Sequence, residues 1–576
     1  MQRTSLRQGY GRQACANSWC GQSFEITQND LDFYEKISPL FPSTSLGADN
    51  GKKELIPPPL HCPGCRQQRR LVWRNERTLY RRASDLTNTP IVASYPPNTP
   101  FPVYETDEWW SDAFDASAFG IAYDSSSPFL SQFQGLLLRV PRISLSNSHN
   151  ENCDYVTYTN YSRDCYLIYG VHSSEKCCYC WRVHDCLSCF DCAQLYRCQF
   201  CFDCTDCDDC YQIFSCLDCQ NCNTSSSLRH CRSCRNCMYC TNVANKEHCI
   251  FNEQYSPAQY EQQTRYWYSH PKEALDRFAQ LLISTPQKSS HNIQCEDCTG
   301  DYLIRCKDCH DTYSAKECRD CTRLYLGEHT TDCHDCDITG WPAEMCYEGT
   351  STCVDAHQNI FSSLCWSCSD IAYCDSCFHS RNLFGCVGFK KNEYCILNRQ
   401  YTKEEYEQLV PQIIAKMRTD GEWGEFFPVT LSPFAYNETV AHENFPLTKE
   451  EVLRRGWQWR DQKDEMPKVD RIMPAVKLPD SIDEIPDAVL NWAIECETTK
   501  RPFKIIKQEL EFYRQMHLPV PHFHPDERHR RRMALRNPRK LWNRECAKCH
   551  KPIATSYAPD RPEIVYCESC YLQEVY

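Results

Sequence analysis

Glycine is scarce in this chain, 18 of 576 residues, and none of it gathers into a phosphate-cradling loop. No positively charged stretch leading into an apolar core opens the sequence, and no run of 18 apolar residues occurs anywhere. A membrane-spanning helix is therefore excluded, and the expectation is a cytoplasmic protein. No nucleophile, base and orienting group recur at a recognisable spacing, so the chain is not expected to be an enzyme. Uniform cationic charge is missing too: the formal net charge of -13 argues against a protein that coats nucleic acid, while leaving room for local basic patches.

Cysteine is what the chain has in excess, 46 residues. A chain of this length can bury a large core and has no need of disulfides for stability, and in a reducing compartment C-x2-C spacing points to metal ligands. From Cys177 to Cys240 almost every cysteine falls a multiple of three residues after the last. An α-helix would carry such a series round its cylinder, and a flat strand would send alternate members to opposite faces. A chain that turns a corner every few residues satisfies the spacing. Asp or Asn precedes many of these cysteines (Asp185, Asp191, Asp203, Asp206, Asp209, Asp218, Asn221, Asn236), and both tolerate the left-handed backbone of a corner.

The cysteine-rich centre comes as two copies. KEHCIFNEQYSPAQYE at 246–261 matches NEYCILNRQYTKEEYE at 392–407, a constant offset of 146 residues, and each copy opens on His-Asn (His149-Asn150, His291-Asn292). Repeats within repeats predict two β-solenoid blocks with coils of about 12 residues stacked about 4.8 Å apart. Inside such coils, neighbouring pairs have the spacing to share a metal, or to pack as a dry column of thiols. The candidate ligands are Cys186, Cys189, Cys198, Cys201, Cys207, Cys210, Cys216, Cys219, Cys231, Cys234, Cys237 and Cys240 in the first block. In the second they are Cys295, Cys298, Cys306, Cys309, Cys318, Cys321, Cys333, Cys336, Cys365, Cys368, Cys374 and Cys377. An iron-sulfur reading of Cys204, Cys207 and Cys210 lacks the Cys-Pro that closes a ferredoxin run, which leaves zinc as the expected cofactor.

Both ends carry four-cysteine sets. Near the start, Cys15 and Cys20 pair with Cys62 and Cys65, and a helix-forming run follows CPGC, the order of a treble-clef finger. Thr27 is the expected N-cap of a helix between the two pairs. At the end, Cys546, Cys549, Cys567 and Cys570 form C-x2-C-x17-C-x2-C, a zinc-ribbon spacing. The ends are duplicates: RNERTLYRR from Arg74 matches RNPRKLWNR from Arg536 at an offset of 462. Ser84, Thr87, Glu105 and Glu108 stand where the second copy has its four cysteines, and His524 and Glu527 stand where the first has Cys62 and Cys65. Each end keeps the metal set the other has lost. Arginine clusters interleaved with aromatics recur in both copies, and Arg69, Arg70, Arg74, Arg77, Arg531, Arg532, Arg536 and Arg539 are candidates for phosphate contact; the alternative is that they bind the acidic body of the same chain.

The expected organisation is an N-terminal treble-clef finger with its basic helix (1–84), a Pro/aromatic connector (85–148), solenoid block 1 (149–255), a helical linker (256–290), solenoid block 2 (291–400), helices and linkers (401–493), and a C-terminal module with a zinc ribbon (494–576). Ser256 with Gln259, Thr402 with Glu405, and Thr448 with Glu451 are capping boxes that start helices.

The pattern C-x4-CG-x2-F, D-x2-FYEKI, P-x2-HCPGCR-x2-RRL, RNERTLY, PVY, WWSD, the cysteine repeats and PEIVYCESCY resembles a cysteine-rich zinc-ribbon and treble-clef family of ultrasmall bacteria with reduced genomes (candidate phyla). That resemblance implies zinc-ribbon domains at the ends and implies no activity. The expected function is a zinc-binding, non-catalytic scaffold or interaction protein. The alternatives are a nucleic-acid or ribosome-binding protein using the arginine helices, and a multi-thiolate zinc reservoir; the expected partners are RNA, the ribosome or another protein, with no membrane.

Overall fold

The computed structural model describes residues 11–42, 51–171, 173–183, 187–189, 193–195, 199–201, 211–214, 223–231, 233–307, 309, 312–316, 325–327, 336–337, 343–344, 350, 356–461, 467–515 and 518–575. The chain is mainly β and built on β-solenoid coils, with 12 helices among the described residues. It divides into two compact units. Unit 1 comprises Met1–Leu145, Ser290–Arg460 and Arg539–Leu541; unit 2 comprises Ser146–Ser289, Asp461–Pro538 and Trp542–Tyr576.

The three-residue period of the sequence is the side of a four-sided coil. In unit 2, residues 149, 152, 155, 158, 161, 164, 167, 170, 173, 176 and 179 all have positive φ, so the chain turns at every third position. Parallel bridges Glu151↔Arg163, Asp154↔Tyr166, Thr157↔Tyr169 and Arg163↔Glu175 join each coil to the next, 12 residues on. Each side thus offers one bridging residue, one corner and one inward residue. Cys153, Val156, Cys165, Ile168, Val171, Cys177 and Cys180 share the interior. Unit 1 repeats the pattern with corners at 361, 364, 367, 370, 373, 376 and 379. The Asp and Asn corners agree with the sequence expectation at Asn236 (φ 50°), whereas Asp185, Asp191, Asp203, Asp206, Asp209, Asp218 and Asn221 lie outside the described residues.

Hydrogen bonding explains why cysteine dominates the interior. Bridging and corner N–H groups enter the ladder directly, as in Glu151 N–H to Ser162 O (2.9 Å) and Asp164 N–H to Glu151 O (3.0 Å). The inward residue's N–H instead donates to the inward side chain one coil earlier: Ser174 to Ser162 Oγ (3.3 Å), Cys374 to Ser362 Oγ (3.2 Å), Asn252 to Cys240 Sγ (3.4 Å). That side chain in turn donates to the carbonyl two residues behind it, as Cys165 Sγ does to Arg163 O (3.2 Å) and Cys365 Sγ to Ser363 O (3.3 Å). A small inward side chain that accepts one hydrogen bond and donates another serves both groups and fills the dry column, whereas Val156, Ile168 and Val171 take inward positions by packing alone. Cysteine and serine meet the polar requirement, and sulfur, readily buried, meets the apolar one better.

Helices close the blocks where the capping boxes place them. Ser256 and Gln259 start Pro257–Ser269, Thr402 and Glu405 start Lys403–Asp420, and Thr448 and Glu451 start Lys449–Arg454. Thr27 likewise caps Gln28–Ile37. In unit 1 the main core gathers the coil residues Ile371, Tyr373, Phe384 and Leu397 with Ile413 and Met417 of Lys403–Asp420, and with Trp109, which is fully buried.

Candidate metal centres

Four modules of one design stand at the two ends of the chain, two in each unit. Each has a knuckle at the end of a strand and a helix whose N-cap and third residue complete the set. In the module of Ser84, the Ser84 N–H donates to Thr89 O (2.8 Å), the Asn88 N–H to Ser84 O (2.9 Å), and Asn88 has φ 62°. Cys546 repeats this with Lys551 O (2.9 Å) and His550 (φ 59°), and Cys496 repeats it with Arg501 O (3.0 Å) and Lys500 (φ 60°). Cys15 uses a longer loop, its N–H donating to Gln22 O (2.8 Å). Cys62 is the N-cap of Pro63–Leu71, Glu105 of Thr106–Trp110, and His524 of Pro525–Leu535, while Cys567 directly precedes Glu568–Val575.

Two of the four modules bring cysteines together. The Sγ atoms of Cys15, Cys20, Cys62 and Cys65 lie within 4.8 Å of one another, as do those of Cys546, Cys549, Cys567 and Cys570. Cys20 and Cys62 sulfurs are 3.6 Å apart and Cys549 and Cys567 sulfurs 3.7 Å, against the roughly 3.8 Å edge of a thiolate tetrahedron with ~2.3 Å metal–sulfur bonds. Backbone N–H groups already point at the sulfurs, Cys62 N–H to Cys15 Sγ (3.3 Å) and Cys567 N–H to Cys546 Sγ (3.2 Å). Burial pushes the Cys546 thiol up, but N–H groups of Cys549, Cys567 and Lys548 outweigh it and bring the pKa to about 6. Donor type and spacing fit one metal ion per set. With four protein ligands each set is closed, leaving no position for a substrate.

The other two modules gather polar groups instead. Glu108 accepts from Ser84 Oγ (2.5 Å), from Thr87 Oγ1 and from the Glu105 N–H (3.1 Å), so one carboxylate joins the positions that a metal ion would join in the duplicate. Its pKa is lowered: burial raises it, and the Ser84 and Thr87 hydroxyls outweigh that. In the remaining module, His524 Nδ1 accepts from the Asp526 N–H (3.1 Å), and Glu527 is held by Arg530 and Arg531. Thr499 occupies the second knuckle position beside Cys496.

The arginines of both helices are largely taken up by the fold. Arg70 Nε lies 2.8 Å from Asp337 Oδ2, both side chains fully buried, and Gln67 donates to the other oxygen (3.0 Å). Arg69 pairs with Glu425 (2.8 Å), Arg74 with Glu76, Arg531 with Glu527 (2.7 Å), and Arg539 donates to Asn444 (2.8 Å). Arg532 is buried and Arg77 and Arg536 are half-buried. In unit 2, Arg528 sits over the Tyr179 ring of the solenoid (4.5 Å), whose hydroxyl donates to the fully buried Glu509 (2.9 Å). Asp337, Glu425 and Glu509 carry no local sequence signal.

Among the central candidates, Cys231, Cys234, Cys237, Cys240, Cys306, Cys309, Cys336, Cys365, Cys368, Cys374 and Cys377 are buried, and Cys295 and Cys298 half-buried. Among the described residues no group of three or more His, Cys, Asp or Glu ligand atoms converges apart from the two terminal sets. Cys189 and Cys201 lie opposite each other on paired strands, with their side chains outside the description. Cys186, Cys198, Cys204, Cys207, Cys210, Cys216, Cys219, Cys318, Cys321 and Cys333 lie outside the described residues. No helix among the described residues is long and apolar enough to cross a membrane.

Fold and sites together define a class: a cysteine-rich β-solenoid bearing two four-cysteine sets that could each hold a metal ion. Compared with protein-family models, curated proteins and solved structures, the chain matches none.

Proposed function

We propose that the protein is a non-catalytic, cytoplasmic scaffold in which each four-thiolate set holds one zinc ion, and that each ion fastens a finger to a solenoid block. The observation that carries this reading is the coupling of metal set to buried anchor. Cys62 and Cys65 open the helix whose Arg70 reaches Asp337, so the ligands and the ion pair share nine residues of helix, Pro63–Leu71. In unit 2, the strand Val565–Tyr566 beside Cys567 pairs with Gln287–Lys288, and Tyr571 donates to Asn242 Oδ1 (2.6 Å). Four thiolates suit tetrahedral zinc and leave no open position for turnover. The partner would be another protein held on the surface of the coils, since most of the named arginines are already committed within the chain.

Elemental analysis of protein purified without added metal tests this. The expected content is about two zinc ions per chain, and chelation is expected to open residues 11–71 and 542–575 to proteases while the coils stay protected. Iron in place of zinc, a folded metal-free chain, or many ions that load and unload without unfolding would each overturn it.

A further inference from the structure

We propose that unit 1 carries a binding site for a small organic amine, in the cavity between the solenoid, the helix Lys403–Asp420 and the strand Leu40–Phe41. The site is separate from the metal sets and does not depend on the scaffold reading.

The cavity follows from the coil repeat. At 12-residue spacing, Ile360, Ala372, Phe384 and Ile396 form one column of bridging positions, and their partners Ile360↔Ala372, Ala372↔Phe384 and Phe384↔Ile396 lie in register. Ala372 offers a methyl group where its neighbours offer large side chains. A cavity of about 230 Å³ results, walled by Ile37, Phe41, Phe384 and Ile414. That is smaller than the ~300 Å³ at which drug-sized pockets begin, so the occupant is small.

The polar groups come from the same repeat. Gln358, Asp370 and Asn382 are successive left-handed corners one coil apart and line the cavity, placing a carboxylate between two amides at about 4.8 Å steps. Gln358 is committed, donating to Ile37 O (3.4 Å). Asp370 has His357 Nδ1 at 3.7 Å. The Asp370 side chain is 46 % exposed at the cavity rim, and the desolvation it does suffer pushes its carboxyl above the usual range, opposed by the His357 imidazole. An ammonium group between Asp370 and the Asn382 carbonyl oxygen, with a branched alkyl or aryl tail over Ala372, satisfies both halves of the site. An anion is repelled by Asp370, and a neutral isostere forms no ion pair with it.

Titration calorimetry on the full chain at neutral pH, with 2-phenylethylamine and isoamylamine against isoamyl alcohol, tests the assignment. The amines are expected to bind saturably and at least tenfold more tightly than the alcohol. Asp370→Asn is expected to abolish that preference, and Ala372→Leu, which fills the cavity and leaves the column apolar, to abolish amine binding with the thermal midpoint unchanged or higher. No amine binding, equal binding of amine and alcohol, or amine binding that survives Ala372→Leu overturns the proposal.

Discussion

Arg70 and Asp337 are 267 residues apart in sequence and meet with both side chains fully removed from water. A pair of this kind adds little net stability over apolar groups of the same shape, but removing one partner leaves a buried charge alone. Asp337→Asn is expected to cost roughly 3–5 kcal/mol, read as a lowered urea midpoint, whereas Arg70→Met with Asp337→Leu should recover most of the loss. Equal loss in the single and double variants would refute the buried-charge account. Glu425 makes a pH prediction. Burial pushes its carboxyl up, but His61 and Arg69 outweigh it and hold the pKa down to about 2, against 4.5 unperturbed. A depressed carboxylate contributes stability that is complete above the unfolded value, so the contribution of order 3 kcal/mol is present above about pH 4.5 and is lost as pH falls from there toward 2. Glu425→Gln should flatten the acid limb of the stability profile in that window.

At the scale of the element, the coil and the finger each turn on one recurring geometry. In the coil, an inward thiol relays a hydrogen bond from the next coil's N–H to its own coil's carbonyl. Cys365→Ser keeps both bonds and is expected to cost about 1 kcal/mol or less, whereas Cys365→Ala strands an N–H and is expected to cost about 1–3 kcal/mol more. Unfolding midpoints of the two variants decide this, and neither should change the metal content. In the finger, N-cap and third helical residue serve equally as metal ligands or as a capping box, because both devices satisfy the same orphan N–H groups. Replacing Ser84, Thr87, Glu105 and Glu108 together by Cys should therefore add one metal ion per chain, and unchanged stoichiometry would show that the module lacks the metal-binding geometry.

The molecule as a whole is two units, each containing solenoid coils and two of the four terminal modules. Much of this is legible in the cysteine spacing. Steps of three at Cys177, Cys180, Cys234, Cys237 and Cys240 mark inward positions, the 146-residue offset marks two blocks, and C-x2-C pairs at Cys62 and Cys546 mark where strands and helices come together around sulfur. The arginine runs were ambiguous by the same means, since a charge prepared for phosphate and one prepared for a buried carboxylate look alike in sequence.

Corners, caps and knuckles are short stretches of backbone whose hydrogen bonds and left-handed turns prescribe residue type locally; that is why the coil and the cysteine pairs could be read from the chain alone. The anchors that decide what the arginines do, Asp337, Glu425 and Glu509, lie far away along the chain and acquire their roles when packing removes them from water. Burial, rather than residue type, turns an exposed charge into a structural clamp, and only the tertiary structure determines burial.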